Sequence, residues 1–244
     1  MGINGMKIDR PEYLPSKVKW NSASTEEELA IHLTQDIKQM FTDLSANNNY
    51  VSLAVSGGST PINLFQKLSK LDVQWELTDI TLIDDRWVDS THKDSNELLV
   101  RNNLLQNNVV NANFIPLKNN SNSAKDGQAL SEKSLDKLKG PIDLSILGMG
   151  CDGHTASLFP CSEELPLAMD INNKNKCIAV NPNTAPYERI SLTRSMICKS
   201  RNIVLYIVGE HKLKTLEKAI KNKDPNIMPI YAFLEHGLSI YWSP

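Results

Sequence analysis

A histidine two positions after an aspartate, on a loop freed by glycine, is the feature of this chain best suited to chemistry. The stretch from Ile142 to Pro160 reads IDLSILGMGCDGHTASLFP. It opens with an apolar run, Ile142 to Leu147, short enough for a buried strand. It then breaks at Gly148, Gly150 and Gly153, and Asp152 and His154 form the only Asp-x-His in the sequence. Imidazole titrates near neutrality and takes a proton from water. A neighbouring carboxylate orients such a ring and stabilises its cation. No G-x-S-x-G nucleophile elbow occurs, so water is the simpler nucleophile. The plainer reading of His154 is a helix cap at a glycine turn. Cys151 lies in the same loop, but no cysteine-nucleophile signature surrounds it.

Gly148 to Gly153 also matches the G-x-G-x-x-G dinucleotide fingerprint. That motif needs a long helix after the glycines, and Pro160 and Pro166 cut this one short. The next strand, Cys177 to Val180, runs into Asn181 rather than a ribose-binding acid. No nicotinamide, flavin or other cofactor is expected, and no metal.

Three further groups bear charge or bind it. Ser56-Gly57-Gly58-Ser59-Thr60-Pro61 lies between a strand and a helix, where backbone N–H groups, hydroxyls and a helix start converge into an anion cradle suited to phosphate. No Lys follows the second glycine, so it is not a nucleotide P-loop. Asp84-Asp85-Arg86 falls at a strand end, the usual ligand-binding edge of an open α/β sheet, although a solvated charged turn has the same sequence. Arg189 and Lys212, each beside a strand end, are placed to close on a phosphate, although each taken alone reads as a surface charge.

The elements that must position these groups alternate regularly. Ser24 or Thr25 caps a helix with Glu26, Glu27 and Glu28 in its first turn and a stripe of Leu29, Leu33, Ile37, Met40 and Leu44. Strands are expected over 50–55, 79–83, 113–117, 142–147, 177–180, 190–193 and 202–208, with a last one in GLSIYW. Helices are expected from Pro61 through Leu68, from Ser95 through Leu105, over 124–138 and from about Glu210 to Ile220. Asn47 to Asn49 and residues 119–123 read as loops. The pattern predicts one α/β domain over 1–244 with a mostly parallel sheet covered on both faces, and residues 1–20 as an irregular or edge segment.

Composition narrows the partners. The 244 residues are 41% apolar and 22% charged, with a formal net charge of −2. That balance offers no bulk attraction for nucleic acid or an anionic membrane. No apolar run approaches a membrane span, and the opening MGINGMKIDRPEYL lacks a signal-peptide core. The four cysteines fit no zinc spacing and read as free thiols of a cytoplasmic protein.

Five stretches carry a resemblance: LAVSGGSTP (53–61), DDRWVDSTHKDSN (84–96), LGMGCDGHTASLFP (147–160), PYERISLT (186–193) and GEHK (209–212). In this order they resemble the glucosamine-6-phosphate isomerase/6-phosphogluconolactonase family. The resemblance implies a three-layer α/β/α fold with a mostly parallel, Rossmann-like sheet. It also implies a metal-free hydrolase of 6-phospho-D-glucono-1,5-lactone in the oxidative pentose phosphate pathway, as a monomer or small homo-oligomer. By the same resemblance His154 is the base with Asp152 beside it, Arg86 lies near the lactone, and Gly57, Gly58, Ser59, Arg189 and Lys212 contact the phosphate, with Thr60 in the same cradle. Asp84 matches an acid that the deaminase branch uses for proton transfer. Asp85 stands where the family more often has Glu, and the last strand ends in Tyr241-Trp242 where an acid is expected. An isomerase or deaminase acting on an amino sugar phosphate is the first alternative, although SLFP after the histidine resembles the lactonase branch. A non-enzymatic sugar-phosphate-binding module is the second, and residues 1–23 are too short for the effector segment it would need.

Overall fold

The computed structural model describes residues 8–45 and 50–244. The loop expected at 47–49 and the first seven residues of the N-terminal segment lie outside the described residues. Seven parallel strands form the main sheet: β1 (Lys19–Ser22), β2 (Val51–Val55), β3 (Thr78–Leu82), β5 (Asn113–Ile115), β6 (Leu144–Leu147), β9 (Asn202–Val208) and β10 (Ser239–Ser243), in the order β1-β10-β9-β6-β2-β3-β5. All of β2, β3 and β6 is buried. Their side chains point to both faces, so both faces are covered, as a parallel sheet requires. The N-terminal segment, expected to be irregular or edge, does supply the edge strand β1, where Trp20 stacks on Trp242 with ring centroids 5.8 Å apart.

Helix α1 (Glu26–Ser45) begins where Thr25 Oγ1 accepts from Glu28 N at 3.2 Å, with three glutamates in the positive first turn. Its buried stripe is Leu29, Leu33, Ile37 and Phe41, at steps of four. Phe41 takes the place expected for Met40, because it meets the edge of Trp75 at 5.2 Å. Helices α2 (Ile62–Leu68), α3 (Asn96–Asn103), α4 (Ala124–Leu135) and α7 (Glu210–Asn222) match expected helices. Three short ones, α5 (Leu165–Met169), α6 (Arg194–Cys198) and α8 (Ile230–His236), lie in stretches too short to show a helical period.

The main departure from expectation is a second sheet. Asp84–Arg86 does follow the end of β3, as expected, but it is not the solvated charged turn that its sequence also allows. It is strand β4, paired antiparallel with β8 (Arg189–Leu192), which pairs in turn with β7 (Cys177–Val180). A three-residue strand of charged residues has no apolar alternation to announce it. The register sets Arg86 opposite Arg189.

The chain leaves β2 toward β3 and β5 on one side, and leaves β6 toward β9 and β10 on the other. The adjacent pair β2 and β6 is therefore the point where strand order reverses, and ligands bind in such crevices at the carboxyl ends of the strands.

Candidate active site

Nine of the ten residues singled out in the sequence line one cleft of about 270 Å³ at that reversal, and Asp152 supports it from behind. The cleft gathers segments far apart in the chain. Gly57, Gly58, Ser59 and Thr60 follow β2. His154 follows β6, and Lys212 lies in the first turn of α7 after β9. Asp84, Arg86 and Arg189 come from the small sheet. Pro61, expected inside α2, is its N-cap residue, with its carbonyl accepting from Phe65 N at 2.8 Å.

The glycine loop fixes the histidine. Asp152 Oδ1 accepts from the His154 backbone N–H at 3.1 Å and lies 2.6 Å from its Nδ1. An ionised carboxylate there requires the proton on Nδ1, leaving the Nε2 lone pair free for water or substrate. Partial burial works against the Asp152 charge, but the hydrogen bond and charge of His154 outweigh it and hold the carboxyl below its ordinary value. Gly150 N–H donates to the His154 carbonyl at 2.8 Å. A β-carbon on Gly150 would fall 2.3 Å from the His154 ring, so glycine is required for that close approach. Thr155 Oγ1 donates to Gly148 O at 2.8 Å and closes the loop.

The two carboxylates of the small sheet divide their work. Asp84 lines the cleft, and its Oδ2 accepts from Ser157 Oγ at 2.5 Å. Asp85 is fully buried and accepts from three backbone amides, Arg86 at 2.8 Å, Asn96 at 2.6 Å and Glu97 at 3.0 Å. It anchors the start of α3 together with Ser95, whose Oγ accepts from Leu98 N at 3.2 Å. Burial pushes the Asp85 carboxyl up to about 6 against the pull of those amides, with the nearby Asp84 charge adding to the rise.

Three cations line the cleft. Arg86 Nη1 donates to Asp94 O at 2.7 Å. Arg189 is buried, donates to Pro186 O from Nε at 3.3 Å and Nη2 at 3.2 Å, and is drawn down from its ordinary value by desolvation, which the Asp84 charge opposes. Lys212 Nζ donates to Met149 O at 2.7 Å. A lysine at a helix N-terminus opposes the macrodipole. The last strand supplies no acid. Instead the Trp242 indole donates to Gly209 O at 3.1 Å and steadies the turn that carries Lys212.

Four residues were missed as site residues. Ser157 and Phe159 lie in the SLFP run, and Asn96 lies in the DDRWVDSTHKDSN stretch, so the motifs held their signal. Tyr206 sits in the apolar strand β9, where one hydroxyl leaves no pattern.

The family model described as glucosamine-6-phosphate isomerases/6-phosphogluconolactonase matches residues 24–242. The chain belongs to this family. Within it, a 6-phosphogluconolactonase of Pseudomonas putida is 34% identical over the whole of both chains. One from Helicobacter pylori is 40% identical over 83% of this chain and 86% of its own. The crystal structure of a 6-phosphogluconolactonase from Shewanella baltica superposes with a TM-score of 0.91 at 40% identity, covering 95% of this chain and all of that one.

Proposed function

We propose that the chain is a lactonase that hydrolyses 6-phospho-D-glucono-1,5-lactone to 6-phospho-D-gluconate in the pentose phosphate pathway. One observation carries the mechanism: the Asp152-oriented His154 ring and the glycine–serine cradle open on the same cleft. Whole-length relatives named for this activity support the substrate. In this reading one cytoplasmic domain performs the reaction, and its four free thiols suit that reducing compartment.

The phosphate docks on the backbone of Gly57 to Thr60 with Arg189 and Lys212, which places C1 of the lactone near His154. His154 Nε2 takes a proton from a water molecule whose oxygen bonds to C1. The carbonyl electron pair moves onto its oxygen, held by Arg86 or the amides of the glycine loop, a contribution of about 3–4 kcal/mol in comparable sites. The pair then returns, the bond from C1 to the ring oxygen breaks, and the imidazolium delivers its proton to that oxygen. The new carboxylic acid ionises in water. Asp152 stays charged throughout and steadies the imidazolium.

The test generates the lactone from glucose 6-phosphate with its dehydrogenase in chelator-containing buffer and follows ring opening with and without the protein. Acceleration is expected, and His154→Ala should reduce it by about 10²–10⁴-fold. Ring opening at the uncatalysed rate would refute the activity, and near wild-type turnover by the variant would refute the base.

A further inference from the structure

Among the described residues, seven buried side-chain polar atoms have no hydrogen-bond partner within the protein. Four of them belong to residues that line the cleft: Ser56 Oγ, Arg86 Nε, Asn96 Oδ1 and Tyr206 Oη. Buried polar atoms are almost always paired in folded proteins, so their concentration at one site marks groups kept for a ligand. Their chemistry sorts them. Arg86 Nε only donates, and both phosphate and lactone oxygens accept. The two hydroxyls do either. Asn96 Oδ1 only accepts, and a phosphate dianion has nothing to donate to it.

The orientation of Asn96 is fixed by its surroundings. The residue is 2% exposed. Its Nδ2 donates to Asp84 O at 2.8 Å and approaches Asp84 Oδ1 at 3.5 Å. Turned over, the carboxamide would set its oxygen against those two acceptors. Its backbone N–H is held by Asp85 at 2.6 Å. Its carboxamide presses against the cradle, because a β-carbon on Gly57 would fall 1.9 Å from Oδ1. Glycine at position 57 is what lets this oxygen lie beside the phosphate loop.

We propose that Asn96 Oδ1 accepts a hydrogen bond from a hydroxyl of the sugar ring, next to the phosphate arm, and so selects hydroxylated substrates over deoxy ones. The inference rests on the reading of the cleft as a sugar-phosphate lactone site. A buried acceptor left without its donor is costly, and sites built to bond a substrate hydroxyl reject analogues that lack it. Asn96 is thus a specificity-determining residue, whereas Arg86, Arg189 and Lys212 serve the anionic oxygens.

The test uses 1,5-anhydroglucitol 6-phosphate, a ring mimic with no carbonyl to hydrolyse, and its 2-, 3- and 4-deoxy forms. Calorimetry measures their binding to the wild-type chain and to Asn96→Ala. One deoxy form should bind wild type about 10-fold more weakly than the parent. Asn96→Ala should bind that form and the parent alike. Equal binding of all four ligands by wild type overturns the proposal without any variant. So does an Asn96→Ala loss of the same factor for the parent and each deoxy form. Lactone turnover is read separately. Preference for the hydroxyl without ring opening upholds Asn96 and defeats the lactonase reading, and ring opening without preference does the reverse.

Discussion

His154 stacks on Phe159, with ring centroids 4.2 Å apart and planes 32° from parallel. The Arg189 guanidinium lies 5.6 Å from the centroid of the same ring, within reach of its negative face. One buried aromatic side chain thus supports both the proposed base and a proposed phosphate ligand. Phe159→Leu removes the flat surface and keeps much of the volume, so stability should fall by less than about 1.5 kcal/mol. Turnover should fall and KM should rise, each about 3–10-fold, because a small misplacement of reacting groups is costly. Steady-state ring-opening kinetics check this. A change in KM with unchanged kcat would show that His154 does not depend on the ring beneath it.

Asp152 fixes the tautomer of His154 through the 2.6 Å contact to Nδ1. Asp152→Asn offers an amide that can present either its oxygen or its nitrogen to the ring, and it removes the negative charge. In a buried triad the same change costs about 10⁴-fold. Asp152 is 43% exposed at its side chain, so water takes over part of the work, and a fall in kcat of about 10–10³-fold is expected. KM should move little, since Asp152 stands behind the histidine and off the cleft wall. The same kinetic assay reads both constants, and an unchanged kcat would remove Asp152 from the mechanism.

Asp85 makes stability depend on pH in an unusual direction. Its carboxyl is raised from 3.8 to about 6 by burial. Between those values the folded chain holds a proton that the unfolded chain has released, so stability falls as pH rises through this window and levels off above 6. The size of the effect is about 3 kcal/mol. Asp85→Asn cannot titrate, so the wild-type stability minus that of the variant should shrink by about that much from pH 4 to pH 7. Urea unfolding at several pH values measures it. A difference that grows with pH would mean that the three amides on Asp85 outweigh its burial.

The parts of the fold and site that could be read from the sequence were those governed by local pattern. Strand β9 announces itself as NIVLYIV, α1 by its capped start and acidic first turn, and the cradle and histidine loop by glycines that interrupt apolar runs. The second sheet could not be read in this way. Strand β4 is Asp-Asp-Arg, and it exists because β8 returns beside it from about a hundred positions later. Nor could the division between Asp84 and Asp85 be read, since adjacent carboxylates in one motif differ only in which side of a strand they occupy. Arg86 and Arg189 each lie near a strand end in the sequence, but their direct register comes from the pairing. Tyr206 was invisible for the opposite reason, being the one hydroxyl among the buried residues Ile203 to Ile207, whose apolar members pack the core.

Lys212 should discriminate between phosphorylated and plain lactones. Its Nζ donates to Met149 O at 2.7 Å, which keeps the charge at the cleft wall. Lys212→Gln preserves length and a donor but removes the charge, and charge-assisted bonds to phosphate are about twice as strong as neutral ones. The ratio of kcat/KM for 6-phosphoglucono-1,5-lactone to that for glucono-1,5-lactone should fall about 10-fold. An equal loss on both substrates would instead assign Lys212 to holding the glycine loop.

Gly150→Ala separates the geometry of the histidine loop from its composition. Gly150 is not among the residues with positive φ, so alanine meets no backbone strain there. The added β-carbon would fall 2.3 Å from both Cε1 and Nδ1 of His154 and 2.6 Å from Asp152 Oδ1. No carbon tolerates such separations, so either the ring or the carboxylate must move, and the 2.6 Å contact between them breaks. The loop backbone is held independently by Thr155 Oγ1 on Gly148 O and by Ile230 N–H on Gly153 O at 3.0 Å, so the fold should persist with little loss in thermal stability. Turnover should nevertheless fall nearly as far as in His154→Ala, by about 10²-fold or more. The thermal midpoint and kcat measured on the same preparation decide the matter. Wild-type turnover in a folded Gly150→Ala chain would mean that His154 works from a different ring position than the one Asp152 holds.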